Sequence, residues 1–477
     1  MSSLFIYGVM EWAIRLVMVA VILRRRFMPG TALAWLSVVF FLPIVGLVVY
    51  LLIGSNYLGR RRIRLYQQVL DRMRSQSRVT VRGHVLRPET DASAQPVVLQ
   101  AERISGMPIL GGNDVELLSE HERMIDRLVA DIDAAVHHVH MLYYIFGTDE
   151  TSHRVADALE SAVARGVSCR VLADASGSRH FFGRRGLSER LRARGVTTQR
   201  MLPVHLLRRR LERLDLRNHR KLSVIDGRVA YAGSHNIVNA DYGHRRAGPW
   251  IDLSARLRGP VVSQLQSVFL EDWLFETDQM LDEPGITPPP ETAGTICAQA
   301  VPTGPSSDES ESLLRVAVTA INAARRRIII SSPYLVPDEP TLLALSMASE
   351  RDVEVDLVIP RRSDHPLVGF AGRAYFEPLL EAGVRIFLHE PGLLHAKTMT
   401  VDDSFALLGS SNFDIRSFYL NFELNVLLYG PQMTRELRFA QTQYISDAQP
   451  VDLAEWRQRP IARRYAQSAA ALLSPLL

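Results

Sequence analysis

Cysteine is close to absent from this chain: Cys169 and Cys297 are the two among 477 residues. That excludes a disulfide framework and leaves too few thiols for a cysteine-built zinc site. No His/Asp/Glu cluster with metal-ligand spacing is present either, so no metal and no other cofactor is expected. Acid is scarce at the start. Residues 1–64 hold eight arginines against one acid, Glu11, which makes +7; the remainder therefore carries −3 of the overall +4. A mildly acidic body argues against a nucleic-acid partner. The composition, 47% hydrophobic and 22% charged, excludes a disordered or collagen-like chain, and the length allows two or three domains.

Charge of either sign is missing from Phe27 to Gly59. Within that stretch Thr31–Ile53 is long and apolar enough to cross a bilayer. Leu4–Leu23 precedes it, interrupted by Glu11 and Arg15, which are four apart and face each other on a helix. The pattern predicts two spanning helices, at about 4–23 and 31–53, joined by an Arg-Arg-Arg-Phe-Met-Pro-Gly turn, with Pro43 tolerated inside the second. The charges follow the first apolar stretch and no small-residue cleavage site comes after it, which argues against a signal peptide. Arginines 60, 61, 62 and 64 outnumber arginines 24, 25 and 26 by one, which favours a cytoplasmic body by that single charge.

The expected organisation is an anchor over 1–58, a linker over 59–110, a domain over 111–282, a Pro/Gly/Ser-rich linker over 283–309, and a second domain over 310–477 with a C-terminal helix. A βαβ rhythm recurs in both domains. Helix His121–Ala135, strand Val139–Phe146, helix Ser152–Arg165 and strand Ser168–Ala173 are answered by Leu313–Ala324, Arg327–Ser332, Thr341–Glu350 and Val353–Ile359. Ala462–Leu473 reads as an amphipathic helix that packs on the body or meets a membrane.

A sharper repeat lies inside this rhythm. His219-Arg-Lys221, Asp226 and Gly233-Ser234-His235-Asn236 return 176 residues later as His395-Ala-Lys397, Asp402 and Gly409-Ser410-Ser411-Asn412, with the same gaps. On a strand, His and Lys two apart share a face. Two copies bring two imidazoles, two ammoniums and two carboxamides to one cleft. That set suits phosphoryl transfer without a metal: Lys221, Lys397, Asn236 and Asn412, with Ser234 and Ser410, hold phosphate oxygens, one imidazole attacks phosphorus, and the other protonates the leaving alcohol. Asp252 and Glu423, 33 and 28 residues after the two histidines, are candidates to orient the imidazoles. Asp226 and Asp402 complete the candidate catalytic set, although each precedes a tight turn and reads better as its cap than as a substrate contact.

The doubled motif resembles the HKD signature of the phospholipase D superfamily, and more narrowly its bacterial cardiolipin synthases. Further matching stretches are Leu42–Gly54, Tyr144–Phe146, Asp174-x-x-Gly177-Ser178, Arg217–Lys221, Phe269-x-x-Asp272-Trp273, Ser332–Tyr334, Ser363-Asp364 and Leu394–Lys397. Ser234 stands where many such synthases have glycine. The resemblance implies an α/β fold of two pseudo-symmetric phospholipase D-like domains, mixed sheets flanked by helices, after two transmembrane helices. It implies a phosphatidyltransferase of the bacterial inner membrane, with phosphatidylglycerol as substrate and the bilayer as partner. One phosphatidylglycerol gives its phosphatidyl group to a histidine and releases glycerol; a second accepts it, giving cardiolipin. By the same resemblance His219 is the nucleophile and His395 the acid and base. Arg208, Arg209, Arg210, Arg213 and Arg217 are read either as an anionic-headgroup site or as a solvated helix face. A hydrolase of phospholipase D type, a synthase using phosphatidylethanolamine, a nuclease and a non-catalytic membrane scaffold are the competing readings, and the oligomeric state stays open.

Overall fold

The computed structural model describes residues 3–25, 29–54, 81–86, 94–203, 215–243, 247–305, 312–472 and 474. Arg26, Arg60–Arg62, Arg64, Arg208–Arg210 and Arg213, on which the orientation and headgroup expectations rest, lie outside the described residues. An N-terminal helical unit and an α/β body are the two compact units.

In the helical unit, Ser3–Arg24 is one continuous helix, and Phe5–Arg24 is long and apolar enough to cross a membrane. Glu11 and Arg15 pair at 3.2 Å, and Arg15 Nε also donates to the Phe40 carbonyl. The second expected span is not one helix. It breaks at Leu42 into Pro29–Phe41 and Pro43–Ile53. Pro43 has no N–H to give, and its ring disfavours helical backbone at Leu42, which sits at φ −132°, ψ 69°. At ~1.5 Å per residue the pieces are about 20 and 17 Å long, short of the ~30 Å hydrocarbon core. They pack on each other through Trp35 and Tyr50, edge to face at 5.1 Å, and through Gly46, where a Cβ would lie 2.8 Å from the Val39 Cα.

The body is one long mixed sheet flanked by helices. Its first half has strands β1 (Leu110–Leu118), β2 (His138–Tyr143), β3 (Ser168–Asp174), β4 (Thr197–Met201), β5 (Lys221–Ile225), β6 (Val229–Gly233), β7 (Trp250–Ile251) and β8 (Ser254–Arg258). The second half has β9 (Ile296–Thr303), β10 (Arg327–Ser331), β11 (Leu335–Val336), β12 (Glu354–Pro360), β13 (Arg385–His389), β14 (Leu393–Leu394), β15 (Thr398–Val401), β16 (Phe405–Gly409), β17 (Phe413–Asp414), β18 (Glu423–Tyr429) and β19 (Ala448–Pro450). The order β4-β3-β2-β5-β6-β8-β1 is continued by β9-β18-β16-β15-β10-β12-β13-β19. Reading outward from the β1–β9 junction, the first seven strands of each half match in order, each run ending in three parallel strands, and the second half adds β19, antiparallel to β13, at its edge.

The crossover helices obey their sequence signals. Asp149 caps Glu150–Ala164 by accepting from the Ser152 amide, and Asp338 caps Glu339–Glu350 in the same way through Thr341. Leu222, Ala255 and Phe269 of the first half share an apolar cluster with Leu408, Leu428 and Leu437 of the second.

Both expected linkers contain core structure. Ile296–Thr303 is the strand β9 at the centre of the sheet, pairing with β18 and β1. Gln95–Ser105, inside the expected linker over 59–110, is a helix that buries Val97, Val98, Ala101 and Ile104 at helical spacing. The C-terminal helix runs from Ile461 to Ala471 and packs through Gln467 and Ala470.

Candidate active site

His219 and His395 line one cavity of about 640 Å³, together with Asn236 and Asn412. Neither motif histidine lies in a regular strand of its own copy. β5 begins at Lys221, and β15 begins one residue after Lys397. The extended residues before each strand pair instead with the opposite half. The His219 amide donates to the Phe422 carbonyl at 2.8 Å, and the His395 amide to Ile251 at 2.8 Å. β14 pairs in parallel with β7.

That exchange decides the carboxylate partners. His219 Nδ1 lies 3.1 and 3.2 Å from the two oxygens of Glu423, and His395 Nδ1 lies 2.6 Å from Asp252 Oδ1. Counting along the chain sets each carboxylate with the histidine of its own copy; in the fold each serves the other. With Nδ1–H given to a carboxylate, Nε2 is left as the free ring nitrogen, its lone pair available for chemistry.

Each carboxylate is fixed from behind by the serine of its own copy. Ser234 Oγ donates to Asp252 and Ser410 Oγ to Glu423, while the same hydroxyls accept from the Leu253 and Leu424 amides at 2.9 Å. The expectation that these serines hold phosphate is corrected: both are buried with their hydroxyls spent on carboxylates, and neither lines the cavity. Ser234 and Ser410 thus make equivalent bonds. Gly233 and Gly409 permit this closeness, since a Cβ there would fall 2.4 Å from the Ser254 Cα and the Asn425 Oδ1 respectively.

Asp226 and Asp402 do not reach the cavity. Their carboxylates accept backbone amides at the opposite strand ends: Val136, His137 and His138 for Asp226, and Arg325, Arg326 and Arg327 for Asp402, at 2.7–3.0 Å. Both adopt left-handed backbone, φ 52° and 49°, as the tight turn requires. Five residues of strand, about 16 Å, separate each from its lysine. Their place among the catalytic set is therefore corrected to a turn-tying one.

Lys221 and Lys397 are almost fully buried behind the imidazoles, each Nζ donating to the carbonyl of its own histidine at 2.6 Å. Burial lowers Lys397 to about 8 and takes Lys221 well below the ordinary lysine value, with the charge of Lys397 adding to the second shift. His219 is pushed down to about 4 by burial and by the two ammoniums, with Glu423 opposing. His395 is lowered for the same reasons, with Asp252 opposing. Asp252 and Glu423 are held below the usual carboxylate range by the histidines and the donors around them, against the effect of burial.

Several supports were not singled out from sequence. Tyr144 meets the His219 ring edge-on at 4.9 Å, and Trp250 stacks on His395 at 4.3 Å. Ser417 and Asn421 add two more donors to Glu423. Arg220 is buried on Asp272 through two 2.8 Å contacts and also donates to the Glu423 carbonyl. The Arg-Lys and Asp-Trp pairs were visible as matching stretches, but nothing in their spacing announced that they touch. Asn236 Oδ1 accepts from the Ile145 amide, and the Asn412 amide donates to Ser417. Among the described residues no group of three or more His, Cys, Asp or Glu is placed to hold a metal ion.

Two imidazoles on two carboxylates, with two lysines behind them, form a two-copy centre whose repeats both match the family described as cardiolipin synthase, PLD-like domain, at residues 128–273 and 317–441. The chain is 35% identical over 474 residues to cardiolipin synthase A of Escherichia coli K12 and of E. coli O1:K1, covering 96% of this chain and 95% of each relative. The chain belongs to the cardiolipin synthase family. Residues 13–55 also match the phospholipase D-nuclease N-terminal family. Among solved structures, phosphatidylserine synthase of Haemophilus influenzae shares the fold, with a TM-score of 0.61 at 14% identity, covering 80% of this chain and 99% of that one. This member of the cardiolipin synthase family therefore carries two phospholipase D-like domains in a mixed α/β body, after an N-terminal helix long and apolar enough to cross a membrane.

Proposed function

We propose that this chain is a phosphatidyltransferase that makes cardiolipin and glycerol from two phosphatidylglycerol molecules through a covalent phosphatidyl-histidine. The observation that carries the mechanism is the pair of crossed histidine–carboxylate contacts opening on one cavity. His219 Nε2, neutral at physiological pH because its ring is held at about 4, attacks phosphorus. The phosphorus–glycerol oxygen bond breaks, and His395 gives the departing oxygen a proton. His395 is the better placed of the two to carry that proton, since its 2.6 Å contact with Asp252 favours the imidazolium once an anionic phosphate arrives to offset the lysines. Neutral again, His395 takes the proton from the primary hydroxyl of a second phosphatidylglycerol, whose oxygen displaces His219. Lys221, Lys397, Asn236 and Asn412 stabilise the charge that grows on the non-bridging oxygens.

The chain is read as an inner-membrane protein of bacteria. Phe5–Arg24 crosses the bilayer, the broken pair Pro29–Phe41 and Pro43–Ile53 enters it as the second segment, and the body lies on the cytoplasmic side, as the one-charge excess of arginines 60, 61, 62 and 64 favours. Reporter fusions after residue 110 and at the C-terminus test this; periplasmic signal from both would reverse the orientation. The activity is tested with the purified full chain in detergent and phosphatidylglycerol. Cardiolipin with glycerol is expected. Phosphatidic acid would make it a hydrolase, and no product would make it a scaffold.

A further inference from the structure

The C-terminal helix Ile461–Ala471 is tied to the body by one face only. Gln467 and Ala470 are buried, Arg459 donates to Gln467 at 2.6 Å, and Arg464 reaches Glu377 at 3.0 Å. On another face Ile461, Tyr465 and Leu472 are 67%, 72% and 82% exposed. At ~100° per residue these three fall within about 40° of one another, a single stripe about 16 Å long. Scattered apolar residues on a surface need no account, but three large ones aligned on one helix do.

The surroundings are cationic. Arg361, Arg373, Arg459, Arg463 and Arg464 lie close enough to act on one another: burial lowers Arg373, and the charges of Arg463 and Arg361 lower it further. Arg459 is lowered by burial and then by Arg464, Arg463 and Arg373, with Glu377 opposing. Glu377 and Glu390 answer part of this charge. The patch also borders the active cavity. The helix packs on Pro366–Gly372, in which Val368 lines the cavity and Leu367 is half exposed. Ser474, just past the helix, lines it too and meets the Tyr375 hydroxyl at 3.1 Å.

We propose that this apolar stripe, with the arginine cluster beside its helix, docks the rim of the active cavity onto an anionic lipid bilayer. The proposal rests on the lipid-substrate reading above and adds where the body meets the lipid. By the same rotation Arg464 lies about 60–100° to one side of the stripe and Arg463 on the opposite face. An apolar stripe that includes a tyrosine and has a basic edge is the composition of a helix lying in the membrane interface. A second copy of the chain fits poorly, because it would bring the same five arginines face to face.

The test uses the full chain carrying Cys297→Ser, since Cys169 is buried. A nitroxide is attached at Ile461→Cys or, as control, at Glu350→Cys, an exposed position on another helix. The protein is reconstituted in nanodiscs containing phosphatidylglycerol. Collisions of the 461 label with a water-soluble nickel chelate should fall about tenfold below those of the control, with a matching rise toward oxygen. In parallel, the triple change Ile461→Ser, Tyr465→Ser and Leu472→Ser should cut turnover of bilayer phosphatidylglycerol about tenfold, yet leave turnover of a short-chain, monomeric phosphatidylglycerol within about twofold. A 461 label as open to nickel as the control overturns docking. So does spin–spin broadening between labels, which would assign the stripe to a second copy, and so does an equal loss on both substrates, which would make the stripe structural. The label reading needs no turnover, so an inactive wild type would count against the transferase reading while the label alone decides docking.

Discussion

Between the motif histidine and lysine, the first copy has Arg220, buried on Asp272 and reaching across to the Glu423 carbonyl; the second copy has Ala396 at that position. The register that places Asp226 over His138 and Asp402 over Arg327 likewise sets His140 of β2 against Ile329 of β10. His140 stacks on Phe269 at 4.3 Å and touches Gln266, whereas Ile329 sits in the apolar cluster. In front of the sheet the copies hardly differ: His, Lys, Asn, Ser and a carboxylate recur. The proposed two-step transfer constrains the groups that face the phosphate, since one imidazole must reach phosphorus and the other an oxygen bonded to it. What lies behind them has only to hold the strand still, and an ion pair or an alanine against apolar neighbours can do that.

The largest effect that would break this equivalence comes from the histidines. His219→Ala and His395→Ala should each abolish steady-state cardiolipin formation, by about 10³-fold or more. With a phosphatidyl-nitrophenol, whose leaving group needs no proton, His395→Ala should release one equivalent in a burst and stall as the phosphohistidine, while His219→Ala gives no burst. A burst from His219→Ala alone would exchange the roles; none from either, with active wild type, would question the covalent step.

Next in size are the lysines. Lys221→Met and Lys397→Met should each lower turnover by about 10²–10³ with the fold intact, which circular dichroism would check. The copies should part in pH dependence. Lys397 sits at about 8, so activity should fall as pH rises through that value, and the retained charge of Lys397→Arg should remove that limb from whatever activity survives. An unchanged limb would assign it to another group.

The crossed carboxylates should cost about 10–100-fold each as Glu423→Gln or Asp252→Asn. The sharper readout is which imidazole responds. Glu423 raises the His219 value, so Glu423→Gln should move the nitrogen resonances of His219 and leave those of His395 nearly still, with Asp252→Asn doing the reverse. Shifts within a copy would contradict the crossing. Both carboxylates are depressed in the fold, so each contributes stability above the unfolded value near 4, and that stability is lost as pH falls through the folded value. His219, lowered to about 4, destabilises the fold by the opposite route: the unfolded chain binds its proton between about 6.5 and 4, so stability falls across that window as pH drops.

The smallest effects on chemistry belong to the structural groups. Arg220→Ala leaves Asp272 buried without its cation, with the Asn218 carboxamide still donating to it, and should cost about 3–5 kcal/mol in denaturant unfolding. Asp226→Asn and Asp402→Asn, which weaken acceptors of three amides each, should cost about 1–3 kcal/mol and leave turnover of the folded enzyme within about twofold. A larger loss of turnover in either would return that aspartate to the catalytic set.

Sequence alone determined that the reacting groups come in two copies. His-x-Lys and Gly-Ser-x-Asn are short-range patterns, and local spacing survives in any fold that keeps those strands. The alternation of strands and helices was legible for the same reason, whereas the two crossover helices read from Ser152 and Thr341 begin two residues earlier, after the caps Asp149 and Asp338. Pairings that depend on which chain segment lies beside which were not. Nothing near residue 252 or 423 says that its carboxylate will serve the other copy, because the exchange of β7 and β14 is fixed by the joining of the two half-sheets at β1 and β9. The break at Pro43 and the strand in the supposed linker have a similar origin. A proline ends a helix or bends it according to what packs against it, and Ile296–Thr303 becomes a strand because β18 and β1 both need a neighbour whose backbone can bond to them.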